Sequence, residues 1–296
     1  MENFSTRVAA HPVDSALWIN PGTRPGEPSR DTLLHMSLVE AEHLTKIYER
    51  TDAFGRAGEN TMRAVDDVSF SIEQGETLGL VGESGCGKST LGRMLLRLIE
   101  PTSGTVRFDG AEITALNPRA LRETRREMQI IFQDPFGSLD PRMTVEEIVT
   151  EPLAIHEDLG KPILRQHAAE LMRAVGLEVT ALSRFPHEFS GGQRQRIAIA
   201  RALALRPRFI VADEAVSALD VSVAAQIVNL LKQLQKEFGL TYLFISHSMP
   251  VVRYLATRIA VMREGKIVEI GDAEQITRAP KHEYTKELLR AVEGKP

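Results

Sequence analysis

Eight consecutive residues, Gly82-Glu83-Ser84-Gly85-Cys86-Gly87-Lys88-Ser89, have the spacing GxxxxGKS. Glycines at these positions let successive backbone N–H groups curl around an anion, and a helix starting at the end of the run adds the positive end of its dipole. Lys88 then reaches the β- and γ-phosphates of a nucleotide, and the Ser89 hydroxyl, followed by Thr90, offers a hard oxygen to Mg²⁺. A glycine-rich turn with a surface lysine is the competing reading. It leaves unexplained why an apolar run precedes the loop and an amphipathic one follows it.

A second chemical cluster is Phe209-Ile210-Val211-Ala212-Asp213-Glu214, an apolar run that ends in two carboxylates. Asp213 is expected to hold the Mg²⁺ shell, and Glu214 to project beside the γ-phosphate, where a carboxylate orients and partly deprotonates the attacking water. A third is Ser190-Gly191-Gly192-Gln193, a hydroxyl and two glycines opening the helical run that continues from Arg194 to Leu205. Physically this is another anion site at a helix N-terminus, although a Gly-rich N-cap is built from the same residues. His247 follows a third apolar run, and a histidine at a strand end is as often structural as functional.

The elements that must position these groups are short continuous apolar runs, each followed by a helix: Thr77 to Val81, Phe209 to Ala212 and Thr241 to Ile245. That grammar predicts a mostly parallel sheet covered on both faces. Leu91, Met94, Leu95 and Leu98 share a helical face ended by Pro101, and Ile227, Leu230, Leu231, Leu234 and Phe238 share another capped by Gly239. Upstream, strands are expected from Leu38 to Tyr48 and around Val68, Phe70 and Ile72, separated by a polar loop from Glu49 to Thr61. They imply an N-terminal antiparallel β subdomain. Residues from about 137 to 190 read as an inserted helical lobe, with a capping box at Thr144 and Glu147. A hairpin from Arg258 to Ile270 turns at Glu264-Gly265-Lys266. Residues 1–36 read as a disordered leader, 37–271 as the α/β nucleotide-binding domain and 272–296 as a mostly helical tail.

Composition bounds the partners. The 296 residues are 43% hydrophobic and 26% charged, with a net charge of −4, so a nucleic acid is not the expected partner. No stretch approaches the roughly 18 apolar residues that cross a bilayer, and no secretory h-region opens the chain. The single cysteine, Cys86, excludes an intrachain disulfide or a cysteine-ligated cluster. Its place at a helix N-terminus is expected to favour the thiolate, whose alkylation would abolish nucleotide binding and which nucleotide would protect; a small residue merely tolerated in the loop is the other reading.

Up to this point the chain is a P-loop nucleotide hydrolase of unspecified kind. Phe189-Ser190-Gly191-Gly192-Gln193 resembles the signature motif of ATP-binding cassette (ABC) ATPases. The resemblance implies an ABC nucleotide-binding fold and a head-to-tail dimer, in which the signature of one subunit closes over ATP held by the phosphate loop of the other. It further implies that Gln133 is the glutamine touching Mg²⁺ or the water, that His247 contacts the γ-phosphate, that Ser217-Ala218-Leu219-Asp220 crosses the dimer interface, and that Tyr48 stacks on adenine. An edge-strand core tyrosine is the other reading of Tyr48.

The segments Gln133 to Arg142, Arg184 to Gln193 and Ser217 to Ser222, with the tail Ala279 to Leu289, are similar to the ATP-binding subunits of bacterial dipeptide and oligopeptide importers. That family implies a second ATPase subunit (a paralogue or a copy of this chain), two transmembrane permease subunits, an extracytoplasmic solute-binding protein, and a place at the cytoplasmic face of the inner membrane. Nickel or glutathione importers and non-transport ABC ATPases are the alternatives. Three positions depart from the family pattern: Glu283 in the tail, Ala215 after Glu214 and Ser248 after His247. The last two are expected to loosen the loops that hold the catalytic side chains.

Overall fold

The computed structural model describes residues 37–51, 57–134 and 137–293. The expected leader at 1–36, the centre of the loop expected at 49–61, and Pro135 and Phe136 lie outside the described residues. Strands β1 (Ser37–Thr51), β2 (Ala57–Glu73), β4 (Ser103–Phe108) and β5 (Ala111–Glu112) form an antiparallel sheet in the order β2-β1-β4-β5. β1 and β2 reach further into the polar segment than expected, pairing Glu49 with Thr61 and Thr51 with Ala57. Their ladder shifts register repeatedly, and His43 and Asp67 adopt φ of 52° and 53° at these irregularities. Each bulge inserts a residue and breaks the period of two, which hides the true strand length from hydrophobic alternation.

The second sheet has the order β10-β9-β3-β8-β7-β6, built from β3 (Thr77–Val81), β6 (Met128–Ile131), β7 (Phe209–Asp213), β8 (Thr241–Ile245), β9 (Arg258–Arg263) and β10 (Lys266–Asp272). Only the β9–β10 hairpin pairs antiparallel in it. All residues of β3, β7 and β8 are buried, as continuous apolar runs require. Their pairing aligns Leu80 with Ile245, Ile245 with Asp213, and Ala212 with Ile131. The segments leaving β3, β8, β7 and β6 therefore emerge side by side at the carboxyl edge, where open α/β sheets bind ligands.

Nine helices appear among the described residues: α1 (Lys88–Leu95), α2 (Pro118–Thr124), α3 (Val145–His156), α4 (Lys161–Ala174), α5 (Gly191–Leu203), α6 (Val221–Phe238), α7 (Met249–Leu255), α8 (Ala273–Arg278) and α9 (Glu283–Glu293). α1 ends before Leu98, which is exposed rather than on the buried face. Arg97 turns into the left-handed region at φ 50°, the Arg97 and Leu98 N–H groups donate to the Met94 and Arg93 carbonyls, and Arg125 Nε donates to the Leu96 carbonyl at 3.1 Å, so the helix closes without another turn. The capping box forms as expected, with Thr144 N–H donating to Glu147 Oε2 at 2.7 Å. Gly239 ends α6 at φ 66°. One contiguous apolar cluster joins α3, α4 and α5 to β7 and β8, placing Val145, Met172 and Ile199 in the same core as Phe244. None of these helices is long and apolar enough to cross a membrane.

Candidate active site

The phosphate loop runs between β3 and α1 with Gly82, Gly85 and Gly87 at φ 153°, 80° and 109°. A methyl group on Gly87 would strike the Ala64 carbonyl of β2, and one on Gly82 the Met262 carbonyl of β9. Gly82 and Gly87 are thus required twice over, by dihedral angle and by the close approach of two neighbouring strands, and Gly85 by its dihedral angle alone. Gly87→Ala is expected to lower stability by on the order of 2 kcal/mol, measured by denaturant unfolding. A midpoint equal to wild type would show that the loop tolerates both constraints. Inside the loop, Lys88 is buried and its Nζ donates to the carbonyls of Gly82 at 2.8 Å and Glu83 at 2.7 Å. No ion pair to Lys88 occurs among the described residues, which leaves its charge available to an anion.

Cys86 corrects an expectation. Its thiol is buried in the cluster around Leu80, Leu91 and Met262, and burial pushes its pKa up, outweighing the Lys88 ammonium that pulls it down. The thiol form therefore dominates at neutral pH, because the side chain packs into the core and the Lys88 ammonium, 3.8 Å from Sγ, does not offset its burial. N-ethylmaleimide is expected to modify Cys86 more slowly than a free cysteine at pH 7.5, with the rate climbing as pH passes above the ordinary thiol range. Mass spectrometry of a timed reaction reads this, and fast labelling at neutral pH would restore the thiolate.

Ser89 Oγ donates to Asp213 Oδ1 at 2.6 Å, and Asp213 is 1% exposed at the end of β7. The Arg93 guanidinium of α1, which sequence reasoning missed, approaches Asp213 Oδ2 at 3.5 Å. It lies four residues beyond Ser89, about one helical turn, and only the fold shows that α1 turns it back onto β7. A hydroxyl beside a carboxylate is a donor set that suits Mg²⁺, which takes one or two protein oxygens and completes its shell with phosphate and water.

Glu214 sits at φ 49°, a left-handed conformation that a non-glycine residue adopts at a cost of order 1–3 kcal/mol. It is pinned there from both sides: its N–H donates to Ile245 O at 3.0 Å, and its carbonyl accepts from Ser217 Oγ at 2.9 Å. The strained turn aims the carboxylate at Gln133 Nε2, which donates to Oε2 at 3.0 Å, and His247 Nδ1 lies 3.6 Å from the same oxygen. Ala215 beside it is buried, and Ser248 donates its N–H to Ser246 Oγ at 3.1 Å without capping α7 through its own hydroxyl. Two groups expected from separate sequence segments, Gln133 and His247, thus converge on the Glu214 carboxylate.

The signature residues bond among themselves. Ser190 Oγ accepts from Gln193 N–H at 3.4 Å while Gln193 Oε1 accepts from Ser190 N–H at 3.0 Å, a capping box at the start of α5. One of the backbone donors expected to be unblocked, that of Gln193, is therefore already met within the helix. Methyl groups on Gly191 and Gly192 would meet Leu219 and Val223 at the head of α6. Asp220 caps α6, accepting from Ser222 and Val223 N–H, and these bonds hold its carboxyl below the usual range. Val221 beside it is 88% exposed. Tyr48 is 38% exposed, with Lys46 Nζ 5.2 Å from its ring centre, and it pairs with Met62 on the strand whose Ala64 abuts Gly87.

A phosphate loop, an oxygen pair suited to a divalent ion and a strand-end glutamate met by glutamine and histidine define a P-loop enzyme that hydrolyses a nucleoside triphosphate. A family profile described as ABC transporter matches residues 65–217. The chain belongs to the ABC transporter family, and it is an ATP-binding, ATP-hydrolysing member. It is 56% identical over 257 residues to the oligopeptide transport ATP-binding protein OppF of Bacillus subtilis (strain 168), covering 86% of this chain and 82% of that protein. It is 54% identical over 231 residues to the glutathione import ATP-binding protein GsiA of Pectobacterium atrosepticum, covering 78% of this chain but 37% of that protein. Among solved structures, the dimeric post-hydrolysis state of the cassette MJ0796 bound to ADP and Pi superposes with a TM-score of 0.71 at 32% identity, covering 79% of this chain and 98% of that one.

Proposed function

We propose that this chain is an ATPase subunit driving the import of dipeptides and oligopeptides. The observation that carries the catalytic part is the Glu214 carboxylate, bonded by Gln133 and flanked by His247 at the ends of adjoining strands. In this reading Glu214 orients and partly deprotonates the water that attacks the γ-phosphate in line, and Gln133 holds that water's other side. Lys88 and the loop N–H groups neutralise the β- and γ-phosphates, His247 contacts the γ-phosphate, and Tyr48 stacks on adenine. Ser89 and Asp213, with Gln133 nearby, would hold Mg²⁺, which when bound supplies neutralisation of charge on the phosphate oxygens.

In this reading the subunits pair head to tail, and the signature and the Ser217-to-Asp220 turn of one subunit complete the site of the other. The dimeric structure of the cassette MJ0796 supports pairing of two subunits. The second subunit is a paralogue or another copy. Residues 137–190 form the lobe that passes ATP-driven closure to two transmembrane permease subunits at the cytoplasmic face of the inner membrane, with an extracytoplasmic binding protein delivering solute. ATP drives the cycle through its differential affinity for closed and open dimers. The names of OppF and of a probable peptide transporter subunit of Sinorhizobium fredii, 51% identical over 256 residues, support peptide as the cargo. Uptake of labelled peptides and of labelled glutathione is the test, in cells carrying Lys88→Ala at this locus. Loss of peptide uptake alone supports the reading; loss of glutathione uptake alone replaces it with the glutathione reading.

A further inference from the structure

Tyr284, near the start of α9, is 3% exposed, yet its hydroxyl is engaged far from its own helix. It accepts a hydrogen bond from the backbone N–H of Glu83 at 3.3 Å, inside the phosphate loop and 201 residues away in sequence. The ring lies under the Arg263 guanidinium at 4.7 Å, at the end of β9. The segment leading into α9 is fastened to β10: Glu269 accepts the N–H groups of Lys281 at 2.8 Å and His282 at 3.0 Å, one on each carboxylate oxygen. His282 Nδ1 in turn accepts the Tyr284 N–H at 3.2 Å. The chain from β10 to Tyr284 is thus held by successive bonds before it touches the loop.

The Glu83 peptide is the point where this chain of contacts meets the nucleotide machinery. Its N–H goes to Tyr284, and its carbonyl, together with that of Gly82, holds the Lys88 ammonium. Rotation of the Gly82–Glu83 peptide plane moves the lysine's resting place, because that one plane carries both the N–H bonded to Tyr284 and the Gly82 carbonyl bonded to Lys88. We propose that Tyr284 is a positioning residue for ATP binding: by fixing the Glu83 peptide it sets the Lys88 ammonium in place, so that docking of the C-terminal segment is coupled to nucleotide affinity. The proposal rests on residues 82–89 being the ATP phosphate site.

Tyr284→Phe keeps the ring beneath Arg263 and removes only the hydroxyl. In the full-length chain, this variant is expected to raise the Kd and KM for ATP about five- to tenfold, the size of one hydrogen bond, while kcat and the melting temperature stay at wild-type values. Amide exchange at Glu83 is expected to accelerate. Glu269→Ala, which releases the segment without touching the loop, should reproduce the weaker binding, and the double variant should add little to either single one. A Tyr284→Phe chain with wild-type KM and wild-type exchange at Glu83 overturns the proposal, as does an additive double variant. If the unmodified chain binds no ATP, the phosphate-site assignment falls first and the proposal with it.

Discussion

Glu214→Gln lowers the ATP turnover of this chain by about two to three orders of magnitude and leaves ATP affinity close to wild type. The substitution is nearly isosteric, so the new amide oxygen still accepts from Gln133 Nε2 and the left-handed turn keeps its two backbone bonds, to Ile245 and Ser217. What disappears is the negative charge that draws a proton from water. Because binding persists while hydrolysis does not, the variant accumulates with ATP bound, and on a sizing column it is expected to run as a dimer. Phosphate release and column elution with ATP read both effects. Turnover above about a tenth of wild type would remove Glu214 from the role of base, since general-base catalysis contributes about 10²–10⁴-fold.

Lys88→Ala acts one step earlier, on binding. The Lys88 ammonium is buried and met by two carbonyls within the loop, so it already sits where phosphate oxygens must come. Charge-assisted bonds contribute about 1.5–3 kcal/mol each, and removing the group is expected to raise the ATP Kd by about a hundredfold or more. Calorimetric titration measures this directly. The same deletion leaves the Gly82 and Glu83 carbonyls without their donor, so a modest fall in melting temperature is expected alongside. ATP binding within a few-fold of wild type would show that the loop N–H groups and α1 carry the phosphates without it.

The candidate site was legible in the sequence because its parts are local: a spaced glycine run, two carboxylates after an apolar run, a histidine after another. Their convergence was legible too, since continuous apolar runs imply parallel neighbours with their carboxyl ends together. The antiparallel sheet was read only in part. Bulges near His43 and Asp67 spoil the alternation of β1 and β2, and β4 with β5 went unread although Asp109-Gly110 between them is a tight-turn signal. Cys86 was misjudged because sequence places it at a helix start but does not say whether the thiol faces the anion or the core. Arg93 and Tyr284 were beyond reach for a plainer reason: their partners are set by tertiary contact across the fold, and no spacing encodes that.

The sheet order has a consequence for how the enzyme comes into being. β3, which launches the phosphate loop, is flanked in the finished sheet by β8 and β9, and Tyr284 reaches Glu83 across 201 residues. On a ribosome adding about 5–20 residues per second, roughly 10–40 s pass between synthesis of the loop and arrival of its last brace. During that interval the nascent chain carries the nucleotide motif without the walls that shape it. Nucleotide binding is therefore expected to come late in synthesis, after β8 and β9 have closed on β3.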